Sequence, residues 1–191
     1  MAEIGFVEKI KGFLVSPVET FRKVKDEDMG PGIKYFIILA LIFSILFAVI
    51  FTLLGAMVGS MFGGAFLGGM IGGTMGIVMF IPLFFGLLVS LFIGSAILHL
   101  FVYLVGGRKG YTQTLKAYAY GSTPMLLLGW ILPISFVFSI WSLIVEILGI
   151  RELHEISTGR AVLAVILLII VLAIIIAIPI VLLGTTKVAT A

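Results

Sequence analysis

Two ionisable side chains, His99 and Glu146, stand inside otherwise apolar stretches of this 191-residue chain. Ionisable groups are costly to hold in a bilayer, so each is a candidate for proton or solute handling, as in a small proton-coupled transporter or channel. The competing reading is structural. His99 lies seven residues before Gly106 and Glu146 three before Gly149, so both sit near the ends of their segments. There a side chain can reach the interface, or Glu146 can pair with Arg151. Their comparable depth also allows a hydrogen bond between the two segments. The remaining inventory is thin: two His, no Cys, no H-E-x-x-H, no G-x-S-x-G and no Walker loop. No acidic cluster is suited to a divalent cation. We therefore expect no catalytic residues, no cofactor and no metal, and a protein that is not an enzyme.

The elements that carry these groups must be membrane helices. The chain is 62% hydrophobic and 11% charged, with a mean hydropathy of +1.34, where soluble domains carry roughly 25% charged residues. From Tyr35 through Gly107 there is no Asp, Glu, Lys or Arg. Lipid must be the solvent for most of these side chains, which makes the bilayer the first partner and excludes nucleic acid. Eleven of the 12 basic residues fall in three clusters. Lys9, Lys11, Arg22, Lys23, Lys25 and Lys34 form the first; Arg108, Lys109 and Lys116 the second; Arg151 and Arg160 the third. Such clusters at span ends report orientation, since they are retained on the cytoplasmic side. The N-terminal charges are too dispersed, and the following apolar stretch too long, for a cleaved signal.

Stretches 33–58, 77–105 and 161–183 each meet the roughly 20 residues needed to cross a bilayer. The segment 111–148 would make about 57 Å of continuous helix, nearly twice the hydrocarbon thickness. Gly129, Trp130 and Pro133 interrupt it at its midpoint, which favours two spans, 112–128 and 133–149. Five spans with a cytoplasmic N-terminus put all three basic clusters inside, whereas four would move Arg151 and Arg160 outside. The expected fold is therefore an all-α, polytopic bundle of five transmembrane helices. Residues 1–32 form a cytoplasmic segment, 33–184 the membrane domain and 185–191 a short extracytoplasmic tail.

Nine glycines fall between positions 55 and 76, four of them (Gly64, Gly68, Gly72, Gly76) at four-residue spacing. Small residues so spaced let helices approach closely, while glycine weakens each helix by about 1 kcal/mol relative to Ala. We expect an apolar, flexible, partly helical outer connector, serving packing and linkage or else lining a re-entrant path. In the N-terminal segment, Ile4, Val7, Ile10 and Leu14 recur at helical spacing. Ser16-Pro17-Val18-Glu19 has the form of a helix start with reciprocal capping. Two short amphipathic helices follow, either lying on the cytoplasmic membrane face or packed on loops of the bundle.

Three stretches resemble one family. Ser16-Pro17-Val18-Glu19-Thr20-Phe21-Arg22 is similar to the entry motif of prokaryotic members of the YIP (Yip-one domain) family. Tyr118-Ala119-Tyr120-Gly121-Ser122-Thr123-Pro124 resembles the family's central region, and Gly149 through Ala161 the connector before the last helix. The resemblance covers residues 13–175. It implies a five-span bundle with a cytoplasmic N-terminus in a prokaryotic cell membrane, and a scaffold or adaptor role in membrane organisation or trafficking-like processes. Membrane or cytoplasmic protein partners follow from it, a small GTPase by analogy with eukaryotic relatives, and a homo-oligomer is open. The residues it singles out are Tyr118, Tyr120, Pro124 and His154. Phe13 to Arg22, the Arg108 and Lys109 loop and the Arg151 to Arg160 loop would form one cytoplasmic surface.

Overall fold

The computed structural model describes residues 4–189, and all regular structure among them is helical. Two short helices, α1 (Phe6–Val15) and α2 (Pro17–Lys23), precede a long α3 (Met29–Leu104). The chain continues through α4 (Tyr111–Gly121), α5 (Thr123–Leu128), a 3-10 turn at Leu132–Ile134, α6 (Ser135–His154) and α7 (Thr158–Ala189). Three of these helical stretches are long and apolar enough to cross a membrane: Met29–Leu104, Leu132–His154 and Thr158–Ile175.

Helix α3 is a hairpin. Its helical geometry breaks at Gly63 and Gly64, where Gly64 takes φ 66° and ψ −166°, a region open to glycine and closed to residues with a Cβ. The two arms, 29–62 and 65–104, then pack along the glycine stretch. A Cβ at Gly72 would lie 2.6 Å from the Thr52 carbonyl oxygen, and one at Gly59 would lie 3.0 Å from the Gly68 Cα. The four-residue spacing thus serves close packing, as small-residue motifs do in lipid. It is helical up to the turn itself, more regular than a flexible connector. At ~1.5 Å per residue the arms measure about 51 and 60 Å, and α6 about 30 Å. The hairpin therefore outreaches α6, and its tip is apolar, with Met61, Phe62 and Phe66 exposed.

Helix α4 lies between α3 and α6, and α7 packs on both of those. At its crossing with α6, Gly121 sits so close that a Cβ would approach the Glu146 Cα to 2.7 Å. Pro124, buried at the start of α5, explains the break at Ser122: in a continuous helix it has no N–H to donate to the i−4 carbonyl, and its ring clashes with that carbonyl. The displaced groups find other partners. The Tyr120 carbonyl accepts from Thr123 Oγ1 at 2.5 Å, and the Met125 amide donates to Ser142 Oγ on α6 at 2.8 Å. Residues 129–134 then reverse the chain into α6.

Helices α1 and α2 dock on the bundle through an aromatic cluster. Phe13 and Phe21 are fully buried, beside Tyr35 and Tyr120. Phe21 is seated over Gly149 of α6, where a Cβ would come within 2.5 Å of the ring. The inward face of α1 carries Lys9 and Phe13, flanked by the partly buried Phe6 and Ile10, while Val7 is 75% exposed. Of the face expected on Ile4, Val7, Ile10 and Leu14, Ile4 and Ile10 pack on the core while Val7 points out. Ser16 and Pro17 do open α2, but without a capping hydrogen bond from the Ser16 side chain. The Ser16 carbonyl instead accepts from Thr20 Oγ1 at 2.9 Å.

Candidate functional site

The three basic clusters meet at one end of the bundle, held by two glutamates at the end of α6. Arg22 Nε donates to Glu152 Oε2 at 2.8 Å, and Arg151 donates to Glu152 Oε1 through Nε and Nη2 at 2.9 and 2.7 Å. Glu155, in left-handed geometry at φ 56°, accepts from Lys25 through one oxygen and lies 2.5 Å from Lys109 Nζ through the other. Glu155 therefore ties the N-terminal segment, the 105–110 loop and the α6–α7 junction together. The hydrogen bond from Lys109, then that from Lys25, hold its carboxyl well below the usual range, at about 2. Reciprocally, Glu155 raises the Lys25 ammonium and Glu152 raises the Arg22 guanidinium.

Not all of the cations are tied. Arg108 is exposed, its guanidinium 3.6 Å from the Tyr103 ring centroid with Nη1 donating to the Tyr103 carbonyl at 2.7 Å. Arg160 is exposed beside Gly106. Lys11 and Lys23 are exposed and line a shallow groove of about 190 Å³ between α1 and α2, together with Ile4, Val15, Glu8 and Glu19. Among the described residues, none of these four cations has a salt bridge.

Behind this layer is a buried polar clamp. Lys9 Nζ pairs with Glu27 Oε2 at 2.8 Å, and Tyr120 Oη donates to the same oxygen at 2.8 Å. Lys116, fully buried, donates to the carbonyls of Val24, Lys25 and Glu27 at 3.1, 2.7 and 2.8 Å. These three carbonyls belong to the turn between α2 and α3, so one ammonium satisfies the acceptors of that turn. The sequence placed Lys116 in a basic cluster and did not mark it as buried. The missed signal was its place four residues before Tyr120, on the same inward face of α4.

His99 and Glu146 are not brought together, because α4 lies between α3 and α6. His99 Nδ1 is 2.7 Å from Thr114 Oγ1, and the same hydroxyl is 2.9 Å from His154 Nε2. Thr114 therefore bridges the two imidazoles, whose centroids lie 6.0 Å apart. Nothing in the spacing of His99 and His154 had marked Thr114 as the link. Glu146 faces the other way, into a cavity shared with Tyr118, and Arg151 pairs with Glu152 in its place. Of the central-region residues, Tyr120 belongs to the clamp, Tyr118 lines that cavity, and Pro124 sets the α4–α5 break.

The fold and composition define an all-helical membrane protein with several apolar helices and a polar end. Within that class the chain belongs to the Yip1 domain family, whose model matches residues 11–178. The family is not a known enzyme family. No curated protein and no solved structure matches the chain.

Proposed function

We propose that the protein is a non-enzymatic membrane scaffold or adaptor that works through its charged end. The observation that supports this reading is the joining of all three basic clusters by Glu152 and Glu155, which makes one composite surface from segments far apart in sequence. In this reading the surface is cytoplasmic. The chain crosses the membrane five times, by the two arms of α3, by α4 with α5, by α6 and by α7, and ends outside. The tied cations shape the surface, and four of the untied ones, Lys11, Lys23, Arg108 and Arg160, engage anionic lipid head groups at about 1 kcal/mol each. Exposed Val7 and Val15 on α1 add apolar contact, and the groove between α1 and α2 receives a segment of a membrane or cytoplasmic protein partner.

Site-specific photo-crosslinking in native membranes tests the reading. Crosslinkers at Lys11, Val15 and Arg160 are expected to capture a common protein partner, whereas one at Leu132, at the opposite end of α6, is not. Equal capture from Leu132, or none from the three positions at the charged end, would sink it.

A further inference from the structure

Glu146 lines a cavity of about 330 Å³ between α3, α4, α5 and α6. That volume lies at the small end of ligand pockets. Its walls divide into two kinds. Phe36, Leu87, Met125, Leu126 and Leu143 are apolar, while Ser90, Tyr118, Ser122, Ser139 and Ser142 present hydroxyl groups around Glu146. Three of the five hydroxyls donate elsewhere. Ser90 donates to the Leu87 carbonyl, Ser122 to the Tyr118 carbonyl and Ser139 to the Ser135 carbonyl, and Ser142 accepts from the Met125 amide. Glu146 itself is 9% exposed, and among the described residues its carboxyl group has neither a hydrogen-bond partner nor a salt bridge. Its backbone is fixed by the close crossing with Gly121, so it cannot withdraw without parting α4 from α6.

A buried carboxylate without a partner is expensive, and a cation brought to it recovers much of that cost. No Lys, Arg or His lines the cavity, so any cation other than a proton that pairs with this carboxylate comes from outside the cavity's own lining. Val89 and Ile93 on α3 and Ile140 and Ile144 on α6, close in sequence to lining residues, are exposed and apolar, so a lipid-soluble ligand suits the surface around these helices. Glu146 lies eight residues before the end of α6, about 12 Å from the charged end, a depth that a head group reaches with its chain still in hydrocarbon. The lining offers nothing to neutralise a phosphate. We propose that this cavity is a binding site for a cationic amphiphile: a primary ammonium held by the Glu146 carboxylate, with the alkyl chain against Leu87, Leu126 and Leu143.

The proposal is tested on the purified full chain in a neutral detergent, reading the unfolding midpoint by intrinsic fluorescence, with dodecylamine as probe. Dodecylamine in excess is expected to raise the midpoint of the wild type by a few degrees, and dodecanol or dodecyl sulfate is not. The shift should vanish in Glu146→Gln, which keeps shape, and in Leu87→Phe, which keeps the carboxylate but fills the cavity. His99→Gln, outside the cavity, should retain it. If Glu146→Gln does not fold, Leu87→Phe carries the test. Phosphatidylethanolamine giving the same Glu146-dependent shift would make the bilayer the source of the ammonium. A dodecylamine shift that survives in Leu87→Phe or Glu146→Gln, or one matched by dodecanol, would overturn the site.

Discussion

Phe13 and Tyr120 lie ring on ring, with centroids 4.7 Å apart and planes 15° from parallel. The contact joins the N-terminal helix pair to the middle of the bundle. Its polar rim is the Tyr120 hydroxyl, which donates to Glu27 and accepts from Lys9 at 3.3 Å. This aromatic stack and the shared glutamate oxygen act beside the Phe21 seat on Gly149 and the Arg22–Glu152 pair in docking α1 and α2. Phe13→Ala should destabilise the protein by about 3–5 kcal/mol, the usual cost of emptying a buried aromatic site. It should also release residues 4–28 to hydrogen exchange well before α3 and α6. Tyr120→Phe keeps the stack and should cost less, about 1–3 kcal/mol, by leaving Glu27 and Lys9 short of a partner. Equal exchange protection in wild type and Phe13→Ala would show that the helix pair is held by something else.

Lys116→Met keeps much of the stem volume and removes the ammonium from the three carbonyls of the α2–α3 turn. Buried acceptors left without a donor cost about 1–3 kcal/mol. Protease cleavage within residues 23–29 is expected to rise, with the α3 hairpin unchanged. Cleavage no faster than in the wild type would mean that the turn does not depend on this clamp.

Neighbouring glycines on the second arm of the hairpin should respond with opposite sign. A Cβ at Gly72 meets the Thr52 carbonyl oxygen at 2.6 Å, whereas a Cβ at Gly73 meets nothing within 4 Å. Gly72→Ala should cost about 1–3 kcal/mol by forcing the arms apart. Gly73→Ala should stabilise by about 0.4–1 kcal/mol through helix propensity and a stiffer unfolded chain. Chemical denaturation of the two variants in matched detergent measures both. The same sign in both would contradict the packed hairpin.

The ion pairs of Glu155 give the charged end a pH dependence whose direction is set. Its folded value of about 2 lies below the roughly 4.3 of a free glutamate. A depressed value of this kind adds stability that is fully present above about 4.3 and lost as pH falls toward 2. The stability difference between wild type and Glu155→Gln should therefore be flat above pH ~5 and close across the interval from about 4.3 to 2. Because the pairs are exposed, salt should shrink the difference. A difference that persisted unchanged at pH 2 would assign it to something other than charge.

What was legible in the residues followed from periodicity and charge. The small-residue spacing around Gly68 and Gly72 encodes close packing because only backbone can occupy that space. The clustering of Arg22, Lys109 and Arg151 encodes a common end because charges avoid lipid. Azimuth was not legible. His99 and Glu146 stand at similar depth, but helices that are apolar on every side carry no moment to say which neighbour each group faces, and α4 passes between them. The same limit hid Lys116, since a lysine amid basic residues reads as solvated until the three carbonyls it satisfies are seen together. At Ser16 the residue types predicted a helix start correctly and the hydrogen bonds wrongly: at φ −138° and ψ 63° the Ser16 side chain makes no capping bond.

Topology is open to a direct measurement, since the chain has no Cys. Single cysteines at Arg108, Gly159 and Leu132 would each report one loop or turn. Arg108 and Gly159 are exposed at the charged end; a Cβ at Gly159 meets nothing within 4 Å, and replacing Arg108 removes only its surface contact with Tyr103. In the five-span reading, a membrane-impermeant maleimide should label positions 108 and 159 only after the membrane is opened, and position 132 from the outside of intact cells. The long α3 arms make this a demanding test, because α6 is shorter than they are by about 20 to 30 Å and its far end has to reach the outer interface for position 132 to react. Labelling of 159 from outside would place the third basic cluster across the membrane from the other two. The salt bridges from Glu155 to Lys25 and Lys109 could not then form. A position 132 that reacts from neither side would mean that the α5–α6 turn stops within the bilayer, leaving the two arms of α3 and α7 as the full spans.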